Sequence, residues 1–111
     1  MDIQITGRKV NLDAVLRSFV ERRLQFAFGR FERRIAAVNV RLADINGPRG
    51  GIDQSCRIMV HFRPRGELII EDKAGDTESA VMMAAQRAGQ AVRREIDRRR
   101  TARMRRTTAA A

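Results

Sequence analysis

Arginine is the residue type that gives this sequence most of its chemistry. Of the 23 basic residues 21 are arginine, and the formal net charge is +10. Residues 93–111 carry eight arginines against two carboxylates, so most of the excess charge lies near the C-terminus. Because a guanidinium group binds phosphate oxygens in a bidentate way, this distribution favours a polyanionic partner, most simply a nucleic acid. An arginine-rich codon usage would give the same composition, and the sequence leaves both explanations open.

Groups that could perform covalent or metal chemistry are few. The single histidine, His61, and the single cysteine, Cys56, lie five residues apart on one predicted strand, so their side chains point to opposite faces. No cluster of residues has metal-ligand spacing, and the carboxylates are too scattered to form an acid–base dyad. We therefore expect no catalytic, cofactor or metal site, no small-molecule substrate and no enzymatic activity.

A second pattern combines aromatic and basic residues near residue 25. Phe19, Arg23, Phe26 and Arg30 follow one another at steps of four, three and four, which places them on one flank of a helix. Aromatic rings can stack on bases and arginines can hold phosphates. The alternative is that both phenylalanines pack in the core while the arginine stems extend past them. The core interpretation is favoured for the phenylalanines, and contact with an anion is favoured for the arginines.

The stretch from Asp76 to Arg106 predicts one long, basic helix. Its apolar residues recur at steps of three and four and form a single stripe: Val81, Ala84, Ala85, Ala88, Val92 and Ile96. Arg87 and Arg94 lie two turns apart on the opposite side, where we expect them to face an anion and not to support the core. Gly89 lies at the flank of the stripe and indicates close packing of this helix.

The end of this helix has two interpretations. Glu95 is four residues from Arg99, so a solvated helix end with internal ion pairs is possible. However, three consecutive arginines, at positions 98, 99 and 100, repel one another, and phosphate partners would relieve that repulsion.

The remaining elements follow from alternating and helical periodicity. Strands are predicted at 2–8, 36–42, 56–63 and 67–71, a loop at 46–51 and a tight turn at 64–66. A helix is predicted from its N-cap, Asp13 in preference to Asn11, to Phe28 or Phe31. Its core stripe is predicted to consist of Leu16, Val20, Leu24, Ala27 and Phe31. Strands one and two should be parallel, and strands two to four an antiparallel meander. The predicted fold class is α+β: a two-layer β-α-β-β-β-α domain, with both helices on one face of a four-stranded sheet, over residues 1–97, followed by a basic extension at 98–111.

Targeting signals are not evident. The N-terminus lacks an apolar signal-like run, no stretch is apolar enough to span a bilayer, and one cysteine provides no disulfide framework. We expect a cytoplasmic protein that does not associate with membranes.

Two segments resemble the ribosome hibernation-promoting factors, also called ribosome-associated translation inhibitors. The first is Ile3-Gln-Ile-Thr-Gly-Arg-Lys-Val10 followed by residues 13–24, and the second runs from Asp76 to Val81 and continues to Arg87 and the basic helix end. The resemblance covers about residues 2–100. It implies a fold like that of double-stranded-RNA-binding domains and binding to the small ribosomal subunit, in the channel used by mRNA and tRNA anticodon stems. Occupation of that channel would silence idle ribosomes.

The resemblance also assigns residues. The family's basic positions correspond to Arg8, Arg17, Arg23, Arg87 and Arg94. Together with the charge patterns described above, the full set expected to bind rRNA is Arg8, Arg17, Arg23, Arg30, Arg87, Arg94, Arg98, Arg99 and Arg100. The C-terminal dimerisation domain of the family's long members has no counterpart in this sequence, so we expect a monomer off the ribosome. Two alternatives remain open: a free RNA- or DNA-binding module, and a protein-interaction regulator of transcription.

Overall fold

The computed structural model describes residues 1–45 and 53–110, the last four of them as backbone only. The elements follow the predicted order β-α-β-β-β-α. They are β1 (Asp2–Arg8), α1 (Ala14–Phe28) with a 3-10 segment (Gly29–Arg34), β2 (Ile35–Asp44), β3 (Gln54–Phe62), β4 (Glu67–Ala74) and α2 (Thr77–Ala110). The loop predicted at 46–51 lies outside the described residues.

The four strands form one sheet in the order β1-β2-β3-β4. β1 pairs with β2 in parallel, and the pairs β2–β3 and β3–β4 are antiparallel, so the predicted topology is confirmed. β4 continues to Ala74, three residues beyond its predicted end, before the chain turns into α2. Between β3 and β4 the turn predicted at 64–66 is present, and Gly66 supplies its positive φ of 102°.

Both helices cover the same face of the sheet and enclose the core. Alternating residues of β2 and β3, such as Val38 and Ile58, are buried against them, as the period of two requires. Ile35 is also buried, although the strand was predicted from position 36. Ala36 has no partner in the β2–β3 register and forms a bulge, which turns Ile35 toward the helices, opposite Phe62.

α1 begins where the sequence predicts. The Asp13 carboxylate accepts a hydrogen bond from the backbone N–H of Leu16 at 2.8 Å and caps the helix. Val20 and Leu24 are fully buried, as predicted. Phe28, four residues after Leu24, is fully buried as well, whereas Ala27 and Phe31, through which the predicted stripe passed, are only partly buried.

α2 carries the predicted apolar stripe, and every residue of the stripe is buried. Asp76 caps the helix by accepting a hydrogen bond from the N–H of Ser79 at 2.7 Å. A Cβ on Gly89 would lie only 3.3 Å from the Cβ of Ala27, so this glycine lets α2 approach α1 closely, as expected. α2 runs without a break past residue 97, the end of the predicted domain, to Ala110.

Candidate nucleic-acid interface

The two phenylalanines of the aromatic and basic pattern on α1 have different environments. Phe19 is half-buried and packs against the core, in agreement with the favoured interpretation. Phe26 is 88% exposed, so for this ring the core interpretation is wrong. The guanidinium group of Arg23 lies 6.0 Å from the centre of the Phe26 ring. Phe26 lies on a different side of α1 from the buried residues Val20 and Leu24, so it points away from the core.

A groove of about 400 Å³ separates α1 from α2 beside this ring. Arg23, Phe26 and Arg30 line one wall, and α2 lines the other with Gln86, Gln90 and Arg93. Its floor is formed where Ala27 and Gly89 meet. The groove therefore brings two of the predicted arginines, Arg23 and Arg30, together with Arg93.

Arg17 does not lie in this groove. It is exposed on α1, six residues before Arg23. Six residues place it roughly 120° away around the helix axis at 3.6 residues per turn. Arg17 and Arg23 therefore belong to different flanks of α1.

The flank of α2 next to β4 holds Arg87 and Arg94. The Nη1 of Arg87 donates a hydrogen bond to Asp72 Oδ1 at 2.6 Å and another to the backbone oxygen of Glu71 at 3.3 Å. The Asp72 side chain is only 12% exposed, so Arg87 compensates a mostly buried carboxylate. The expectation that Arg87 does not support the core is wrong, whereas Arg94 is exposed as predicted.

Arg98 and Arg99 both bind Glu95. Arg98 contacts the carboxylate through Nε at 3.0 Å and Nη2 at 2.6 Å, and the Nε of Arg99 lies 3.1 Å from Oε1. These hydrogen bonds, Arg98 first, hold the pKa of Glu95 below its ordinary value of 4.5. The pairing of Glu95 with Arg99 predicted from their spacing is confirmed.

Arg99 has a second contact that connects α2 to the sheet. Its guanidinium group lies 4.6 Å from the centre of the Phe62 ring, and it sits so close to Gly66 that a Cβ there would clash with it. Its side chain is 29% exposed. Arg99 therefore attaches the start of the basic extension to the end of β3.

A cluster of arginines around the β3–β4 turn was not predicted from the sequence. A hollow of about 480 Å³ is lined by six of them: Arg34, Arg63, Arg65, Arg99, Arg103 and Arg106. Three segments far apart in the sequence contribute to it, namely the 3-10 segment, the β3–β4 turn and α2, so no spacing rule reveals it. Arg100 lies in a neighbouring hollow with Arg30, Arg33 and Arg34, which continues the basic surface toward α1.

The open face of the sheet carries Arg8, Arg41 and Arg57. Arg41 and Arg57 are directly opposite each other in the β2–β3 register, and Glu71 is opposite Arg57 on β4. Arg8 lies at the end of β1 and lines a hollow on this face together with Arg41, Arg57 and Glu71. Because this face is on the far side of the sheet from the helices, the structure separates Arg8 from the other predicted arginines.

Other reactive groups have local roles in the fold. Cys56 is fully buried, and burial, followed by the nearby charges of Asp72 and Glu71, raises its pKa to about 12, so it remains a neutral thiol. His61 lies on the opposite face, as predicted, within hydrogen-bond distance of Asn39 at 3.3 Å. Among the described residues, no group of three or more His, Cys, Asp or Glu side chains could hold a metal ion, and no helix is long and apolar enough to cross a membrane.

The fold is a four-stranded α+β domain with exposed arginines on both helices. The chain belongs to the family described as sigma 54 modulation protein / S30EA ribosomal protein, whose model matches residues 3–100. This confirms the resemblance to the hibernation-promoting factors. The family is one of ribosome-associated modulation proteins and not of enzymes.

Two solved structures have a similar fold. The N-terminal domain of Protein Y from Thermus thermophilus is 22% identical, with a TM-score of 0.70 over 85% of this chain and 98% of that chain. A ribosomal subunit interface protein from Coxiella burnetii is 16% identical, with a TM-score of 0.74 over 87% of this chain and 99% of that chain. No curated protein sequence shows significant similarity to this chain.

Proposed function

We propose that this protein binds the small ribosomal subunit in the channel used by mRNA and tRNA anticodon stems, and silences translation in idle cells. Membership of a ribosome-associated family supports the ribosome as the partner. The protein acts by occupying the channel, as a cytoplasmic monomer, and its ligand is the phosphate backbone of the rRNA.

The observation that carries this proposal is the distribution of unpaired arginines. Among the described side chains, Arg23, Arg30, Arg93 and Arg94 form no ion pair with a carboxylate, and all four lie in the helix layer, which comprises α1, the 3-10 segment and α2. The open sheet face carries three described arginines, Arg8, Arg41 and Arg57, and Glu71 lies opposite the last of them. Unpaired guanidinium groups favour phosphate ligands, so the helix layer is the surface expected to face rRNA.

The shape of the molecule supports a binding site inside a channel. Its dimensions are 63 × 26 × 18 Å, with a long axis more than twice either of the others. The 34 residues of α2 span about 51 Å at 1.5 Å per residue, so this helix accounts for most of the length. A narrow body with a basic helix along it can enter a channel lined by phosphates without large rearrangement.

Sedimentation with purified ribosomal subunits tests the proposal. The protein is expected to sediment with small subunits and not with large subunits, and to be displaced when mRNA and deacylated tRNA are added. A cell-free translation assay should show inhibition that decreases as the mRNA concentration rises. Binding to large subunits alone, or inhibition that is independent of mRNA, would contradict the proposed site.

A further inference from the structure

Phe26 has an unusual position for an aromatic residue in a small domain. It is the most exposed of the large hydrophobic side chains in the described part of the chain, at 88%, on a helix that buries Val20, Leu24 and Phe28 completely. Replacement of Phe26 by a smaller side chain would therefore remove few contacts from the core. Because this ring lines a groove together with arginines, it is available for contact with a ligand.

The groove beside Phe26 offers three kinds of chemistry. The ring provides a flat apolar surface, and Gln86 and Gln90 on the facing wall provide amides that both donate and accept hydrogen bonds. Arg23 lies beside the ring on α1, Arg30 follows in the 3-10 segment, and Arg93 lies across the groove. Its volume of about 400 Å³ falls within the ~300–1,000 Å³ typical of small-molecule sites.

We propose that this groove binds one unpaired nucleobase of the RNA, stacked on Phe26. The edge of the base would face the amides of Gln86 and Gln90, and the phosphates on either side of it would contact the three arginines. This proposal rests on the proposed rRNA binding and specifies one of its contacts. It predicts that the protein distinguishes RNA with an accessible base from a polyanion without bases.

Charge favours a nucleotide over an apolar protein segment in this groove. The guanidinium groups of Arg23, Arg30 and Arg93 have no carboxylate partner among the described side chains. An apolar side chain placed on Phe26 would displace water from these cations without providing hydrogen-bond acceptors in its place. A nucleotide brings a ring for the phenylalanine and anionic oxygens for the arginines at the same time.

The variant Phe26→Trp tests the stacking directly. The chain contains no tryptophan and no tyrosine, so the new indole is the only strong emitter, and stacking on a base quenches it. A short single-stranded oligoadenylate and an inorganic polyphosphate of matched charge are titrated in turn, with binding followed by calorimetry. We expect both to bind at low salt and only the oligoadenylate to quench the emission. Equal quenching by both, or no quenching by bound oligoadenylate, would overturn the proposal.

Binding to small subunits separates this proposal from the proposed function. Phe26→Leu, which keeps an apolar side chain but no ring, is expected to lose affinity about tenfold, and Phe26→Trp to retain it. Val15→Ala is the control, because Val15 is 76% exposed on the same helix and lies outside the groove. If Phe26→Leu binds like the parent protein, the stacking fails and the proposed function stands. If the parent protein does not bind small subunits, the proposed function fails and the oligoadenylate titration decides the stacking.

A protein ligand on Phe26 would give a different result. In that case Phe26→Leu would weaken the inhibition of translation while its affinity for isolated small-subunit rRNA and for oligoadenylate stayed unchanged. That outcome would assign the groove to a protein partner and overturn the nucleobase proposal.

Discussion

Arg87 and Arg94 lie two turns apart on α2, yet their surroundings differ. Arg87 compensates the mostly buried carboxylate of Asp72 at 2.6 Å, whereas Arg94 is exposed and has no ion pair among the described side chains. Substitutions at the two positions therefore test different properties. Arg94 reports on binding alone, and Arg87 reports on both stability and binding.

Charge reversal at Arg94 is expected to weaken binding to small subunits and leave the melting temperature close to that of the parent. Arg94→Glu removes an attraction for phosphate and adds a repulsion. Arg87→Glu should also lower the free energy of unfolding by about 1 kcal/mol or more, because it leaves Asp72 without its partner and adds a second carboxylate beside it. Circular dichroism melting and sedimentation measure the two properties.

The open sheet face provides the control for this pair. Arg41 is exposed there, so Arg41→Glu changes the net charge by the same amount as Arg94→Glu. Its effect on binding should be the smaller of the two. If Arg41→Glu abolishes binding while Arg94→Glu retains it, the wrong face of the molecule has been assigned to the rRNA.

The lowered pKa values of two carboxylates, Asp76 and Glu95, predict how the stability of the fold depends on pH. The N-cap hydrogen bond from Ser79 holds the pKa of Asp76 below its ordinary value of 3.8, and Arg98 holds that of Glu95 below 4.5. A lowered pKa in the folded state contributes stability that is fully present above the ordinary pKa and is lost as the carboxylate protonates. We expect the melting temperature to fall as the pH drops below about 4.5. The double variant Asp76→Asn, Glu95→Gln should show a smaller fall, and an equal fall would contradict this assignment.

At the scale of elements, α2 is held by contacts at both ends of the sheet. Its first turns pack on the sheet through the alanine-rich stripe, and its later turns are attached by Arg99, which contacts Phe62 of β3 and Glu95 of the same helix. The domain predicted to end at residue 97 thus receives a contact from the extension predicted to follow it. Phe62 is only 4% exposed, so removal of the extension would uncover a core ring.

Truncation of Arg99 is expected to destabilise the fold. Arg99→Ala should lower the free energy of unfolding by about 1 kcal/mol, since it removes a partly buried cation–π contact and a hydrogen bond to Glu95. Arg98→Ala is the matched control, because Arg98 is 77% exposed and its partner Glu95 keeps Arg99. Denaturant unfolding measures both variants. Equal losses would mean that the contact with Phe62 contributes nothing to stability.

At the scale of the whole molecule, the arginines occupy three flanks of the helix layer. One flank is the groove between α1 and α2, the second lies beside β4, and the third surrounds the β3–β4 turn. A curved or enclosing phosphate surface could contact all three at once. The net charge of +10 makes this association depend strongly on ionic strength.

Salt dependence measures how many phosphates are neutralised. If five to eight arginines contact phosphates, the logarithm of the affinity for small subunits should fall linearly with the logarithm of salt concentration, at a slope of ~0.7–0.9 per phosphate. Arg94→Glu should lower that slope by about one contact. A nearly flat salt dependence would favour a protein-interaction role over rRNA binding.

The sequence by itself determined the elements, their order and the topology of the sheet. Apolar residues repeat every two residues in a strand and every 3.6 residues in a helix when one side of the element faces the core. Each repeat can be read from a single segment of the sequence. The capping residues Asp13 and Asp76 are local as well, since each bonds a backbone N–H three residues away. The departure at Ile35 occurs where a bulge interrupts the period of two, whereas Phe28 follows the helical period and lies four residues after Leu24.

The tertiary structure alone decided which contacts the arginines make with other elements. Asp72 lies 15 residues from Arg87, and Phe62 lies 37 residues from Arg99, so no local spacing indicates either contact. Phe26 lines a groove only because α1 and α2 pack side by side, and the arginines around the β3–β4 turn meet only because α2 passes that turn. Charge and periodicity are properties of single segments, whereas burial and ion pairing require the distances between segments that only the folded chain sets.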